Sequence, residues 1–373
     1  MYAILLWQMK QASKSGGKGY VEIADELCAD IRAGMYASAR SFPSLTRIMR
    51  RFGVTRVTAM RSVDELKRRG VVAAVPKSGI VVKRDNRTVG LILPGVAYSE
   101  FFPPIMGGIS RCCQKSGYGL LFGDVYSKSA TARAKQAKAL AKDFAVKRVA
   151  GVIFQPIEFM DDSRSINGEI VAILANAGIP VVLVDYDIVP SPERSGFDLV
   201  GINNFDAGRL LAAHLISVGA KKIHFMMRHH WSASIKDRLA GVNSAISEGL
   251  VSHKTANVFQ DDPKDAEAVG KYLKKNNPDA IICGNDTTAV YLKQTLDRLG
   301  CRVPDDIMLA GFDDVQLASL MSPQLTTIHQ PCDGIGATAF KTLIERIADP
   351  SLPPREILLP APLVVRGSTR RTM

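Results

Sequence analysis

Two groups of residues in this chain have the types and spacing to do chemistry. The first is Val57, Thr58, Arg61, Glu65 and Arg68, which a rotation of about 100° per residue sets on one side of a short helical segment. Ala59, Met60, Val63 and Leu66 fall on the other side and are expected to face inward. An Arg can chelate a guanine edge, and Thr and Val can meet a thymine methyl, so the outer face suits reading of the major groove of DNA. Arg56, in the first turn, is placed to act on phosphate together with the helix N-terminus. The second group is Asp185, Asn285, Asp286, Asp313 and Asp314, each at the end of a short apolar run. In open parallel sheets, ligands sit outside the carboxyl ends of the strands, where carboxylates and amides suit vicinal hydroxyl groups. Any one of these residues alone reads as a helix cap or turn; three strand ends with the same chemistry favour a shared site.

The elements that must position the first group are legible between Ser41 and Gly70. Leu45, Ile48, Met49 and Phe52 make one apolar helical face, Ser44 caps its start and Gly53 ends it. Thr55 caps the second helix. A preceding helix, from about Tyr20 to Ala33 and stopped by Gly34, carries an Ile23, Leu27 and Ile31 stripe to pack beneath, with Ala24 and Cys28 on the same face. For the second group, apolar runs begin at Val89, Gly119, Gly151 and Val181, and a further series at Leu199, Ile223, Ala280 and Met308. Helical patterns separate them. That alternation predicts an α/β fold with two doubly wound parallel-sheet lobes.

Charge follows the same division. The chain of 373 residues has a net charge of +12, yet 17 Lys and Arg stand against 7 Asp and Glu up to Arg87, and 31 against 29 thereafter. A basic field confined to the first quarter is the footprint of a nucleic-acid-binding module joined to a near-neutral partner. Enzyme chemistry is not indicated. No G-x-G-x-x-G follows the Val89 strand, no phosphate loop occurs, and none of the six His lies beside a nucleophile, His229-His230 reading as a loop pair. The six Cys have no C-x-x-C spacing, so neither a metal site nor a disulfide framework is expected, and no cofactor. No apolar run reaches the ~18 residues of a membrane span, and Ala3 to Trp7 is too short for a signal-peptide core, so the expectation is a cytoplasmic protein. Residues 1–18 read as a flexible extension, with Met9 an equal candidate for the start.

Phe42-Pro43-Ser44, Phe52-Gly53-Val54-Thr55-Arg56-Val57-Thr58 and Leu66 with Gly70-Val71 resemble the winged helix-turn-helix of GntR-type regulators, over residues 19–83. The resemblance implies DNA contacts at Ser44, Thr46, Arg47, Thr55, Arg56, Val57, Thr58 and Arg61, and a wing from Val71 to Val82 with Lys77 and Ser78 at its tip. In that family an Arg usually stands where this chain has Thr46 and Met60; here Arg47 and Arg61 lie beside them. After a joint at residues 84–87, residues 88–373 resemble the effector-binding core of the LacI/GalR family, which shares the periplasmic sugar-binding-protein fold and implies a first lobe of about residues 88–197 and 332–357 and a second of about 198–331 and 358–373. The matching runs are Val200 to Asn204 with Ala207-Gly208, Asp237 to Gly241, Gly284-Asn285-Asp286, Gly311 to Asp314, and Leu325 to Pro331. This resemblance implies an effector site at Asp185, Arg238, Asn285 and Asp313, with Phe101 and Phe102 at the cleft mouth. A winged domain on such a core is an arabinose-repressor-like hybrid. It implies a ligand-responsive regulator, a repressor, that binds operator DNA as a homodimer with a small carbohydrate as effector. The alternatives are a regulator responding to a purine or other non-sugar ligand and a solute-binding protein without regulatory role.

Overall fold

The computed structural model describes residues 18–32, 36, 42–75, 79–82, 87–96, 99–127, 129–157, 163–229, 232–249 and 254–370, in two compact units that divide between Asn86 and Arg87. The expected extension up to Gly17, the helix stop at Gly34, the wing tip at Lys77 and Ser78, most of the joint and His230 lie outside these residues.

The first unit holds α1 (Tyr20–Arg32), α2 (Leu45–Phe52) and α3 (Arg56–Arg68), followed by an antiparallel hairpin of β1 (Val72–Val75) and β2 (Gly79–Val82). Both expected caps form. Ser44 Oγ accepts the Arg47 N–H at 3.3 Å and Thr55 Oγ1 accepts the Thr58 N–H at 3.4 Å. Gly53 takes φ +64°, the left-handed conformation that closes α2 and that glycine adopts without a Cβ clash. The core joins Ile23 and Leu27 of α1 to Ile48, Ala59, Val63 and Leu66. Each large aliphatic side chain buried there stabilises the unit by roughly 1.5–3 kcal/mol. One expectation fails: Met60 is 45% exposed. Ser62 takes the inward place instead, because its hydroxyl can donate to the Ala59 carbonyl at 2.8 Å and so be buried without an orphaned polar group.

The second unit contains two six-stranded sheets. The first comprises β3 (Thr88–Leu93), β4 (Gly119–Asp124), β5 (Gly151–Phe154), β6 (Val181–Val184), β7 (Asp198–Ile202) and β13 (Glu356–Leu359), all parallel, in the order 13-7-6-5-3-4. The second comprises β8 (Ile223–Met227), β9 (Asn257–Gln260), β10 (Ala280–Cys283), β11 (Met308–Asp313), β12 (Thr326–His329) and β14 (Leu363–Val364), in the order 14-12-11-10-8-9, with only β14 antiparallel. Between successive strands run α4 (Phe102–Lys115), α5 (Ala130–Lys147) and α6 (Ser163–Asn176), then α7 (Asn204–Ser217), α8 (Ala233–Glu248), α9 (Ala266–Asn276) and α10 (Asp286–Arg298). Central strands such as β5, β6 and β10 are buried at every residue, as helices on both faces require.

Strand β7 corrects the expected lobe boundary at 198. It pairs with β6 and β13 and so completes the first sheet instead of opening the second. Asp198 ties it there, its side chain fully buried between Arg346, at 3.0 Å, and the backbone N–H of Arg355, at 2.8 Å. The second lobe therefore begins with α7, which packs on α8 through glycines. A Cβ on Gly208 would lie 2.0 Å from the Arg238 carbonyl oxygen, and one on Gly241 would lie 1.9 Å from that of Phe205. That close approach is what sets the backbone of Arg238.

Candidate functional site

On the first unit, α3 presents Arg56, Val57 and Arg61 to solvent, and α2 presents Thr46 and Arg47. Arg47, Arg50, Arg56 and Arg61 have no carboxylate partner among the described residues. Their basic neighbours differ. Arg51 bonds Asp30 and Tyr36, Lys67 bonds Asp64, and Arg68 and Arg69 both bond Glu65, whose carboxyl their hydrogen bonds hold down at about 2. The positive face is therefore narrower than the run of basic residues suggested, and centred on the start of α3. Ser44 and Thr55 are occupied as caps, and Thr58 is half-buried with its hydroxyl 3.1 Å from that of Thr55.

On the second unit, the carboxyl ends of both sheets meet around a cavity of about 330 Å³. Phe101, Phe102, Asp185, Arg238, Asn285 and Asp313, drawn from well-separated stretches of sequence, all line it. Phe101 and Phe102 meet edge to face at the start of α4, with ring centroids 5.2 Å apart. Asp185 follows β6 and Asp313 ends β11, and both hold positive φ, +74° and +112°. For residues with a side chain this conformation costs on the order of 1–3 kcal/mol, a strain that accumulates at functional sites.

Arg238 is 3% exposed and spans the floor. Its Nε donates to Asn204 Oδ1 at 2.9 Å, its Nη1 to the Gly284 carbonyl at 2.7 Å, and its Nη2 lies 3.4 Å from Asp313 Oδ1, while the Phe312 ring stacks 4.7 Å away. Gln330 Nε2 donates to Asp313 Oδ1 at 2.7 Å, and Gln155 Nε2 faces Asp185 Oδ2 at 3.4 Å. An ionised carboxylate only accepts, so both amides must turn their nitrogen to it and their oxygen away. Among the described residues this leaves Gln155 Oε1 and Gln330 Oε1 buried without a hydrogen-bond partner, and Asp185 Oδ1 is a third such oxygen. Burial raises the Asp185 carboxyl to about 6, with Arg238 opposing and Asp313 adding to the shift. Burial raises Asp313 as well, against the pull of Arg238.

Two of the expected strand-end residues serve the frame instead. Asp286 accepts from Thr327 Oγ1 at 2.7 Å and from the Val315 N–H at 3.2 Å, in space that Gly311 leaves open, since a Cβ there would lie 2.3 Å from its Oδ1. Asp314 is held by Arg366 at 2.6 Å and by His329 at 3.0 Å. Asn285 divides its amide: Oδ1 caps α10 by accepting the Thr288 N–H at 2.9 Å. Sequence reasoning missed Gln155, Gln330, Ser232 and Ser234, which also line the cavity. The two glutamines directly follow β5 and β12, so the strand-end rule applied to every strand would have found them. The buried Ser232–Ser234 pair, 2.7 Å between hydroxyls, has no such signal.

Comparison with known proteins places these units. Residues 19–82 match the bacterial regulatory proteins of the gntR family, and residues 212–369 match the periplasmic binding protein-like domain. The HTH-type transcriptional repressor PurR of Photobacterium profundum is 30% identical over 290 residues, covering 76% of this chain and 82% of the relative. The chain belongs to the family of LacI/PurR-type transcriptional repressors. Among solved structures, the transcription regulator GntR from Chromobacterium violaceum superimposes with a TM-score of 0.61 at 25% identity, over 76% of this chain and 99% of that one. A LacI family transcriptional regulator from Enterococcus faecium, with bound ribose, gives 0.62 at 23% identity, over 75% and 98%. The repressor thus joins a gntR-type domain for operator DNA to a ligand-binding domain of periplasmic-binding-protein type, and its relatives are regulators.

Proposed function

We propose that this repressor is controlled by a small neutral carbohydrate held in the cleft between the two sheets by Asp185, Asn285 and Asp313, with Arg238 bracing them and Phe101 and Phe102 covering an apolar face of the ring. The observation that carries the reading is the set of three buried oxygens that have no hydrogen-bond partner among the described residues, Gln155 Oε1, Asp185 Oδ1 and Gln330 Oε1. Each buried acceptor left bare costs on the order of 1–3 kcal/mol, so the cleft favours a guest that brings several donors at once. A sugar does so with its hydroxyls while offering a C–H face to an aromatic pair. The volume of about 330 Å³ stands at the small end of the range for small-molecule sites, about 300–1,000 Å³. In the Enterococcus faecium regulator of the same fold the bound molecule is ribose. Ligand binding shifts the affinity for operator DNA, which the repressor engages as a homodimer through its gntR-type domain.

The test is a thermal-shift screen against pentoses, hexoses, disaccharides and free nucleobases, because a ligand that binds only the folded state raises its unfolding midpoint. A sugar is expected to raise the midpoint in the repressor and not in an Asp185→Asn variant. A rise with a nucleobase and none with any sugar overturns the carbohydrate reading while leaving the ligand-binding domain in place.

A further inference from the structure

The exposed face of α3 is not uniformly polar. Val57 is 62% exposed and Met60 is 45% exposed. At 100° per residue, positions 57, 60, 61 and 64 share one side of a helix, so these two apolar side chains stand together and beside the guanidinium of Arg61. Arg56 adjoins them at the N-terminus of the helix, and neither arginine has a carboxylate partner among the described residues. Asp64 ends the stretch, with its charge taken up by Lys67 at 3.0 Å. The unit has an inward face available for apolar groups, filled by Ala59, Val63 and Leu66, and buries Ser62 there while leaving a methionine outside. The two free guanidiniums on the same face select a polyanion as the occupant. Within a major groove, the one strongly apolar group that a base edge offers is the C5-methyl of thymine.

We propose that Val57 and Met60 form a two-residue reader of thymine methyls, so that each operator half-site carries T·A pairs at two neighbouring positions. Three residues along a helix advance about 4.5 Å, close to one base-pair step of about 3.4 Å, so the two side chains meet adjacent pairs. Arg56 and Arg61 anchor the reader through phosphate and base-edge contacts on either side of it. The inference rests on docking of α3 in the groove, and it names what that docking distinguishes.

The experiment selects preferred sites for the full-length repressor from a pool of random DNA duplexes, then replaces each thymine of the selected half-site singly by uracil, which removes only the methyl. Affinity is read by fluorescence anisotropy at one fixed salt concentration. Loss of a buried methyl is expected to weaken binding roughly fourfold at each of two adjacent positions. Val57→Ala should erase the penalty at one position and Met60→Ala at the other. Arg56→Ala should keep both penalties, weaken all sequences alike and flatten the salt dependence, as a phosphate contact does. Tolerance of uracil everywhere, a selected site without adjacent T·A pairs, or penalties that persist in both apolar variants would each overturn the proposal. The uracil scan on the unaltered repressor decides the matter even if a variant fails to fold. A Val57→Ala or Met60→Ala variant that loses affinity equally for thymine and uracil duplexes would assign the patch to a protein contact instead.

Discussion

Asp185 is a carboxylate held where its charge is least favoured. Burial lifts it to about 6, above the ordinary carboxylate range. A carboxyl raised on folding contributes stability that is complete below about pH 4 and is lost as pH climbs through about 6. At pH 7.5 its charge therefore lowers the stability of the ligand-free repressor, by up to about 3 kcal/mol. Asp185→Asn is expected to raise the thermal unfolding midpoint at pH 7.5, with a gain that shrinks towards pH 5, while sugar affinity falls at least tenfold. A variant less stable than the parent at both pH values would make Asp185 a structural residue. On the proposed reading sugar hydroxyls donate to the ionised form, so affinity in the parent should also decline as pH drops below about 6. Arg238 is a blunter probe, because its removal strips Asp313, Asn204 and the Gly284 carbonyl of their partner together. At this scale the sequence was readable where a polar residue closes an apolar run, as at Asp185, Asn285 and Asp313. The strand-end rule by itself could not say which of two neighbours faces the cleft, because successive residues leaving a strand point to opposite sides, and it was the family resemblance that chose Asn285 and Asp313. Asp313 faces in and Asp314 turns to Arg366; Asn285 faces in and Asp286 turns to Thr327.

Among the elements, the two helices of the DNA-binding motif were the most legible, since Ser44, Gly53 and Thr55 mark their ends by local chemistry alone. Met60 misled because apolar character was read as burial, whereas Ser62 can be buried once its hydroxyl finds the Ala59 carbonyl. Strand β7 shows a different limit. Its apolar run identifies a strand, but its sheet is chosen by Asp198 through Arg346 and Arg355, which lie far along the chain. Burial pushes the Asp198 carboxyl up, yet the hydrogen bonds from Arg346 and the Arg355 backbone outweigh it and hold the group below its ordinary value. Asp198→Ala strips the part-buried guanidinium of Arg346 and the Arg355 N–H of their shared carboxylate, and a loss of about 3 kcal/mol, the low end for a buried pair, is expected in denaturant unfolding. A loss below about 1 kcal/mol would mean that β7 is held by its backbone ladder and apolar packing alone.

For the whole molecule, charge and chemistry are separated along the chain. Up to Arg87 the balance is strongly positive, with guanidiniums at the start of α3 that have no carboxylate partner among the described residues; beyond it the charge is nearly neutral and polar groups converge on one cleft. That division was visible in composition before any fold was known. The crossings of the chain between the sheets are not a matter of composition: the resemblance put them near 198, 332 and 358, and the pairing of β7 with β6 and β13 moves the first of them beyond Ile202. A ligand in the cleft can change operator affinity only by as much as its own affinity differs between the two states of the repressor, and operator DNA must change ligand affinity by the same factor. The most direct measurement is therefore anisotropy of a labelled operator duplex held by the repressor while the sugar that raises its unfolding midpoint is titrated in. Release of DNA by the parent, and none by Asp185→Asn, is the predicted result. A sugar that binds the cleft yet leaves operator affinity unchanged, or that releases DNA equally from both proteins, would contradict it.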